Sequence, residues 1–220
     1  MAQRYQAVLF DLDGTLVDSY AALSEAVNHA RREHALEDLP AERIRDLVGD
    51  GLEKLLQRAF ELDQVPSSVR EAFESRYDEI CCGESRILDD VEATLEALTR
   101  LGVPMAVCTN KPTAFSRKIL DFLGLSSHFR AIIGPDVAGA RKPDARHVFR
   151  TMEEAGFDAK GALFVGDMPI DVAAARNSGI DVAVLATGSS TLEQLVSSKP
   201  DHLLERFSDL VKLVGNGARD

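Results

Sequence analysis

The chain is poor in three things, and each scarcity narrows the reading. It has no run of 18 apolar residues, so no membrane-spanning helix is expected. The N-terminal apolar stretch stops at Asp11 and lacks the layout of a signal peptide. Cysteine is scarce, with two adjacent residues (Cys81, Cys82) and one distant (Cys108). That spacing matches neither a metal site nor a disulfide framework, and it points to reduced thiols in a cytoplasmic protein. Basic residues are outnumbered, 25 Lys and Arg against 36 Asp and Glu, giving a net charge of -11. A surface of that sign argues against nucleic acid or an anionic membrane as partner. It also means that an anionic substrate must be met by local positive charge or a metal ion, because the overall field repels it.

What is present is ordinary globular composition, 45% hydrophobic and 28% charged. The 220 residues suffice for one large domain or one domain with a smaller insert. Short apolar segments alternate with amphipathic ones. Strands are expected at 5–10, 104–108, 131–133, 162–165 and 181–185, and helices at 91–101, 113–123, 144–155, 170–178 and 208–214. This alternation implies a parallel sheet with helices on both faces. One interval breaks the rhythm. Between Asp18 and Gly83 the patterns are helical only, at 21–34, 41–47, 52–62 and 69–80. The expected architecture is α/β: a Rossmann-like three-layer core around a parallel sheet, with an inserted all-helical domain. Residues 1–16 and 84–220 make the core and 17–83 the insert. The tail 215–220 is expected to fray.

In open parallel sheets, ligands bind beyond the carboxyl ends of the strands. The first strand ends abruptly in two carboxylates, in the stretch VLFDLDGTLVDS from Val8 to Ser19. Thr109 and Asn110 follow the second strand, Lys142 lies in the loop after the third, and Asp167 and Asp171 follow the fourth. The topology brings all of them to one edge. Asp11, Asp13 and Asp167 would repel one another without a cation. Carboxylate oxygens with no His or Cys nearby suit Mg2+. A hydroxyl, an amide and an ammonium are the donors that gather around a phosphoryl group. In an extended segment, residues two apart point the same way. Asp11 and Asp13 can therefore face one phosphorus together, one attacking and the other moving protons. Gly14 lets the chain turn sharply beneath the ligand.

Each residue alone has an ordinary structural role. Aspartates end strands and start helices, Thr109 suits a turn, and a lone lysine is usually solvated. The weight lies in four signals in order, each behind its own strand.

These residues resemble the haloacid dehalogenase-like (HAD) hydrolase superfamily over nearly the whole chain. FDLDGTLVDS looks like its first motif, CTNKP its second, RKPDARHVF its third and FVGDMPIDVAAARNSG its fourth. The helical insert looks like its cap domain. CTNKP, with VGDGLEKLLQRAF, is similar to the phosphoglycolate phosphatase branch. The resemblance implies hydrolysis of a small phosphate monoester through an aspartyl-phosphate, with 2-phosphoglycolate going to glycolate and phosphate. A sugar phosphate or pyrophosphate is the alternative substrate, and a phospho-accepting signalling module the alternative class. Asp11 is implied as nucleophile and metal ligand. Asp13 is implied as general acid/base, giving its backbone carbonyl to Mg2+. Thr109, helped by the Asn110 amide, would bind the phosphoryl group, and Lys142 would balance its charge. Asp167 would ligate Mg2+ and Asp171 would support the metal shell. The partner is then a small phosphorylated metabolite, and the chain a monomer or homodimer.

Asp13 separates this chain from the dehalogenase and phosphonate-cleaving branches, which lack that acid. Leu23 stands where the β-phosphoglucomutase branch has histidine. The sequence departs from the family at Met168, often serine, at ILDDVEATL, where Pro-Gly is usual, and at ATGSST, where aromatics are frequent. For the leaving group, Lys54 (or Arg58) on the helix opened by Gly49-Asp50-Gly51 is the expected cation for a substrate carboxylate. Asp18 is expected to cap the first insert helix and carries no chemistry.

Overall fold

A computed structural model describes residues 4–215. The chain runs β1 (Ala7–Phe10), β2 (Val17–Asp18), α1 (Tyr20–Glu33), α2 (Ala41–Arg45), α3 (Leu52–Phe60) and α4 (Ser67–Ile80). It continues through β3 (Arg86–Ile87), α5 (Val91–Arg100), β4 (Met105–Cys108), α6 (Thr113–Phe122), β5 (Ala131–Ile133), α7 (Pro135–Ala138) and α8 (Ala145–Ala155). It ends with β6 (Ala162–Gly166), α9 (Pro169–Ser178), β7 (Asp181–Val184), α10 (Leu192–Ser197), β8 (His202–Leu203) and α11 (Asp209–Gly215).

Six strands form one sheet in the order β5-β4-β1-β6-β7-β8, every neighbouring pair parallel. The central strands read AVLF, MAVC and ALFVG, and every residue in them is buried. A strand covered on both faces needs no polar alternation, so an unbroken apolar run is what it should look like. Side chains still alternate in direction. Val8 and Phe10 join the apolar cluster that includes Leu95, Leu98 and Leu210, whereas Leu9 joins the one with Val148, Phe164 and Val172. The chain moves outward from β1 on one side through β4 and β5, and on the other through β6, β7 and β8. β1 is thus the switch point, where the crossovers part and leave a crevice at the carboxyl ends.

The helices are ended by local chemistry. The Asp144 carboxylate accepts from Arg146 N–H at the start of α8, and Pro169 opens α9. Gly156 and Gly179 close the same helices in the left-handed region. Between β2 and β3 the structure is helical, as expected. α1 packs most extensively on α4. Its buried face, Ala22, Ala26 and Ala30 with Leu23 and Val27, is small enough for close approach. β2 and β3 pair antiparallel, Val17 opposite Ile87, so the helical segment leaves and rejoins the sheet side by side.

The five expected strands are present within a residue or two. β8 and the β2–β3 pair extend the picture; two-residue strands carry no readable periodicity. The short helices α7 and α10 are also additional. Of the tail, Gly215 closes α11 and 216–220 lie outside the described residues.

Candidate active site

Asp11 follows β1 directly, with its N–H donating to the Val165 carbonyl at 2.9 Å. The next residues fold back at once: the N–H groups of Thr15, Leu16 and Val17 all point at the Leu12 carbonyl. Gly14 makes this turn possible. Its φ is +83°, and a Cβ there would stand 2.5 Å from Asp167 Oδ2 and 2.8 Å from the Tyr20 hydroxyl. Asp18, in β2, accepts from Tyr20 N–H at the start of α1, but the N-cap position expected of it belongs to Ser19. Ser19 instead turns its hydroxyl onto Asp13.

Three of the expected acids converge. Asp11, Asp167 and Asp171 are buried and each offers an oxygen within 4.8 Å of the others. Lys142, 1% exposed, places its Nζ 2.8 Å from Asp11 Oδ1 and 2.7 Å from Asp171 Oδ1. Asp171 Oδ2 accepts from the N–H groups of Asp167 (3.2 Å) and Met168 (3.0 Å). Asp171 thus fixes both the lysine and the loop. Thr15 donates to Asp167 Oδ1 at 2.8 Å, while Asp167 Oδ2 is buried with no hydrogen-bond partner. Burial, reinforced by Asp171 and Asp11, holds the Asp167 carboxyl well above the usual range. Burial also pushes Asp171 up to about 6 against the pull of Lys142. Burial alone would depress the Lys142 ammonium, but Asp11 and Asp171 outweigh it and hold the group above the ordinary lysine value.

Three buried carboxylates against one ammonium leave net negative charge away from water, a costly arrangement without a further cation. The donor set is oxygen only, and one of those oxygens is orphaned. These residues fit a hard divalent cation.

The Asp13 carboxylate stands apart from this group. Lys111 Nζ lies 2.8 and 2.9 Å from its two oxygens. Both residues line a cavity of about 50 Å³ with Asp11 and Thr109. Its walls are mostly apolar, with Leu23, Leu55, Phe73, Tyr77, Phe115 and Met168 among them. Thr109 is 2% exposed and accepts from Lys111 N–H at 3.2 Å.

Two expectations change. The Asn110 side-chain amide is committed: Nδ2 donates to the carbonyls of Gly49 (3.0 Å) and Lys142 (3.2 Å), and Oδ1 accepts from Lys142 N–H (2.8 Å). It ties the lysine loop to the helical segment. Gly49 lets Met168 pack close beside this tie, since a Cβ there would overlap the Met168 sulfur. Lys54 does not line the cavity. It lies on the exposed side of α3, whose opposite side buries Leu55, Leu56 and Ala59, and its Nζ donates to Gln57 at 2.9 Å. Arg58 is likewise outside, paired with Asp50 at 2.5 Å. The cation in the cavity wall is Lys111, which the sequence reading passed over inside CTNKP.

A family model described as haloacid dehalogenase-like hydrolase matches residues 8–185. The phosphoglycolate phosphatase of Agrobacterium fabrum (strain C58 / ATCC 33970) is 37% identical over 221 aligned residues, covering 96% of this chain and 94% of that protein. The phosphoglycolate phosphatase of Aquifex aeolicus (strain VF5) is 35% identical over 211, covering 96% and 97%. A crystal structure described as a predicted phosphoglycolate phosphatase from Haemophilus somnus 129PT superposes with a TM-score of 0.88 at 31% identity, over 96% of this chain and 98% of that one. The chain belongs to the haloacid dehalogenase-like hydrolase family.

Proposed function

We propose that this hydrolase is a Mg2+-dependent phosphatase that converts 2-phosphoglycolate to glycolate and phosphate. One observation carries the reading: Asp11 and Asp13, two residues apart, both open onto a cavity that also holds Thr109 and Lys111. One carboxylate is held by Lys142 and the other by Lys111.

An Asp11 carboxylate oxygen attacks phosphorus, and the bond to the leaving oxygen breaks as that oxygen takes a proton from Asp13. Asp13 then takes a proton from water, whose oxygen attacks the phosphorus and frees Asp11. Lys142 orients Asp11 and balances its charge, and the Thr109 hydroxyl donates to the phosphoryl group. Asp11, Asp167 and the Asp13 backbone carbonyl would hold Mg2+, with Asp171 in support, and the bound ion supplies positive charge to the phosphoryl oxygens.

Residues 17–83 act as a cap over a core made of 1–16 and 84–220. In support, Leu23, Leu55, Phe73 and Tyr77 of this segment wall the cavity together with Thr109 and Lys111 of the core, and Arg45 of α2 donates to the Gly188 carbonyl at 2.7 Å. Cys81, Cys82 and Cys108 are free thiols, in keeping with a cytoplasmic placement. Among the described residues no helix is long and apolar enough to cross a membrane.

The test is a panel of phosphoesters compared by kcat/KM with Mg2+ present. 2-Phosphoglycolate should exceed glucose phosphates and pyrophosphate by at least about tenfold, the equivalent of about one hydrogen bond. A sugar phosphate at the head of the panel contradicts the reading.

A further inference from the structure

One polar group in the cavity wall has no task in the chemistry above. Tyr77, on α4, is 1% exposed and its hydroxyl is buried. Lys111 is its polar neighbour, acting on it through charge and a hydrogen-bonding approach, yet no atom, Lys111 included, meets full hydrogen-bond geometry with the hydroxyl. Buried hydroxyls almost always find a partner, so an incompletely answered hydroxyl on a residue that lines a ligand cavity points to a group that arrives with the ligand.

The ring that carries this hydroxyl is fixed. It stacks on Phe73 one turn earlier in α4, with centroids 5.4 Å apart, and meets the edge of Phe115 on α6 at 5.0 Å. Lys111 Nζ stands 4.9 Å from its centre. The ammonium is the one cation among the described residues lining the cavity. An ammonium has three donors, and Asp13 takes two directions from this one. Hydroxyl and ammonium therefore sit side by side in an otherwise mostly apolar wall, on the leaving-group side of Asp13.

We propose that the Tyr77 hydroxyl and the Lys111 ammonium together bind the carboxylate of the leaving group. The substrate class is then a phosphorylated short-chain hydroxy acid, and specificity rests on this pair. A carboxylate needs several donors once it leaves water, and two donors of this kind can serve both of its oxygens. A neutral leaving group of the same size leaves the ammonium and the hydroxyl unanswered, which is how such a site rejects it. The identity of the leaving group rests on the phosphatase reading. The presence of a carboxylate site does not, and the two are separable by experiment.

Tyr77→Phe removes one oxygen and keeps the ring packing. Three readouts apply: kcat and KM for 2-phosphoglycolate, the same constants for ethyl phosphate, and direct binding of glycolate by calorimetry. Expected for Tyr77→Phe is a rise in KM for 2-phosphoglycolate of about tenfold or more, unchanged constants for ethyl phosphate, and weaker glycolate binding. Lys111→Met should weaken glycolate binding further, and Lys54→Ala should change none of the three. The melting temperature of the free Tyr77→Phe protein should stay level, because the ring and its packing on Phe73 and Phe115 are kept. Equal losses on both esters, no loss on either, or a fall in melting temperature with glycolate binding intact overturns the proposal. Glycolate binding that depends on Tyr77 and Lys111 in a protein inactive on both esters upholds the carboxylate site and sinks the phosphatase reading.

Discussion

Lys142 and Asp171 form an ion pair at 2.7 Å in which the side chains are 1% and 0% exposed. The same ammonium reaches Asp11 at 2.8 Å. A lysine so placed is a structural counter-ion as much as a member of the site.

Removing that ammonium leaves Asp11, Asp167 and Asp171 facing one another. Lys142→Met should cost about 3–5 kcal/mol of stability, the usual penalty for an uncompensated buried charge. Urea denaturation measures it, and activity should vanish. Restoring part of the lost stability with MgCl2 is also expected, because a cation would answer the same charge.

Asp167 predicts the opposite sign. Its carboxyl is held above the usual range by burial and by its acidic neighbours, and its Oδ2 has no partner. Asp167→Asn removes one of three crowded charges, so the metal-free variant should melt higher than the metal-free parent. The parent should gain stability as MgCl2 is added, and the variant should lose most of that gain together with its activity. Thermal melts with and without EDTA read both effects.

His147 sets a pH dependence away from the site. It is fully buried in α8, its Nε2 is 3.2 Å from the Ile133 carbonyl, and burial pushes its pKa down to about 4 from 6.5. Below pH 6.5 the unfolded chain takes up a proton that the folded chain refuses. The contribution is complete above pH 6.5, falls as pH drops to about 4, and is flat below. The loss amounts to about 3 kcal/mol. His147→Gln keeps a donor for Ile133, so the difference in urea midpoint between parent and variant isolates this group from the acids that titrate in the same range. A difference independent of pH contradicts the assignment.

Much of the site was legible because of where strands end. Asp11, Thr109 and Asp167 each follow an apolar run, and parallel strands bring their carboxyl ends to one edge. Lys111 was not legible. Its partner Asp13 is 98 residues away, and a loop lysine reads as solvated until the fold closes over it. Tyr77 was hidden for a different reason: its spacing of four from Phe73 is the ordinary pattern of a buried helix face. Lys54 misled because a position near the start of a helix does not say which face it occupies, and the apolar residues of α3 turn it outward. The β2–β3 pair and β8 escaped because two residues are too few to show a period.

The central claim is that Asp11 attacks phosphorus and carries it. Rapid quench of the enzyme mixed with 32P-labelled 2-phosphoglycolate, followed by peptide mapping, tests it most directly. The label should appear on Asp11 within the first turnover, decay as phosphate is released, and be absent from Asp11→Asn, which should be inactive. Turnover by Asp11→Asn, or phosphate release from the parent with no label on Asp11, would contradict the account.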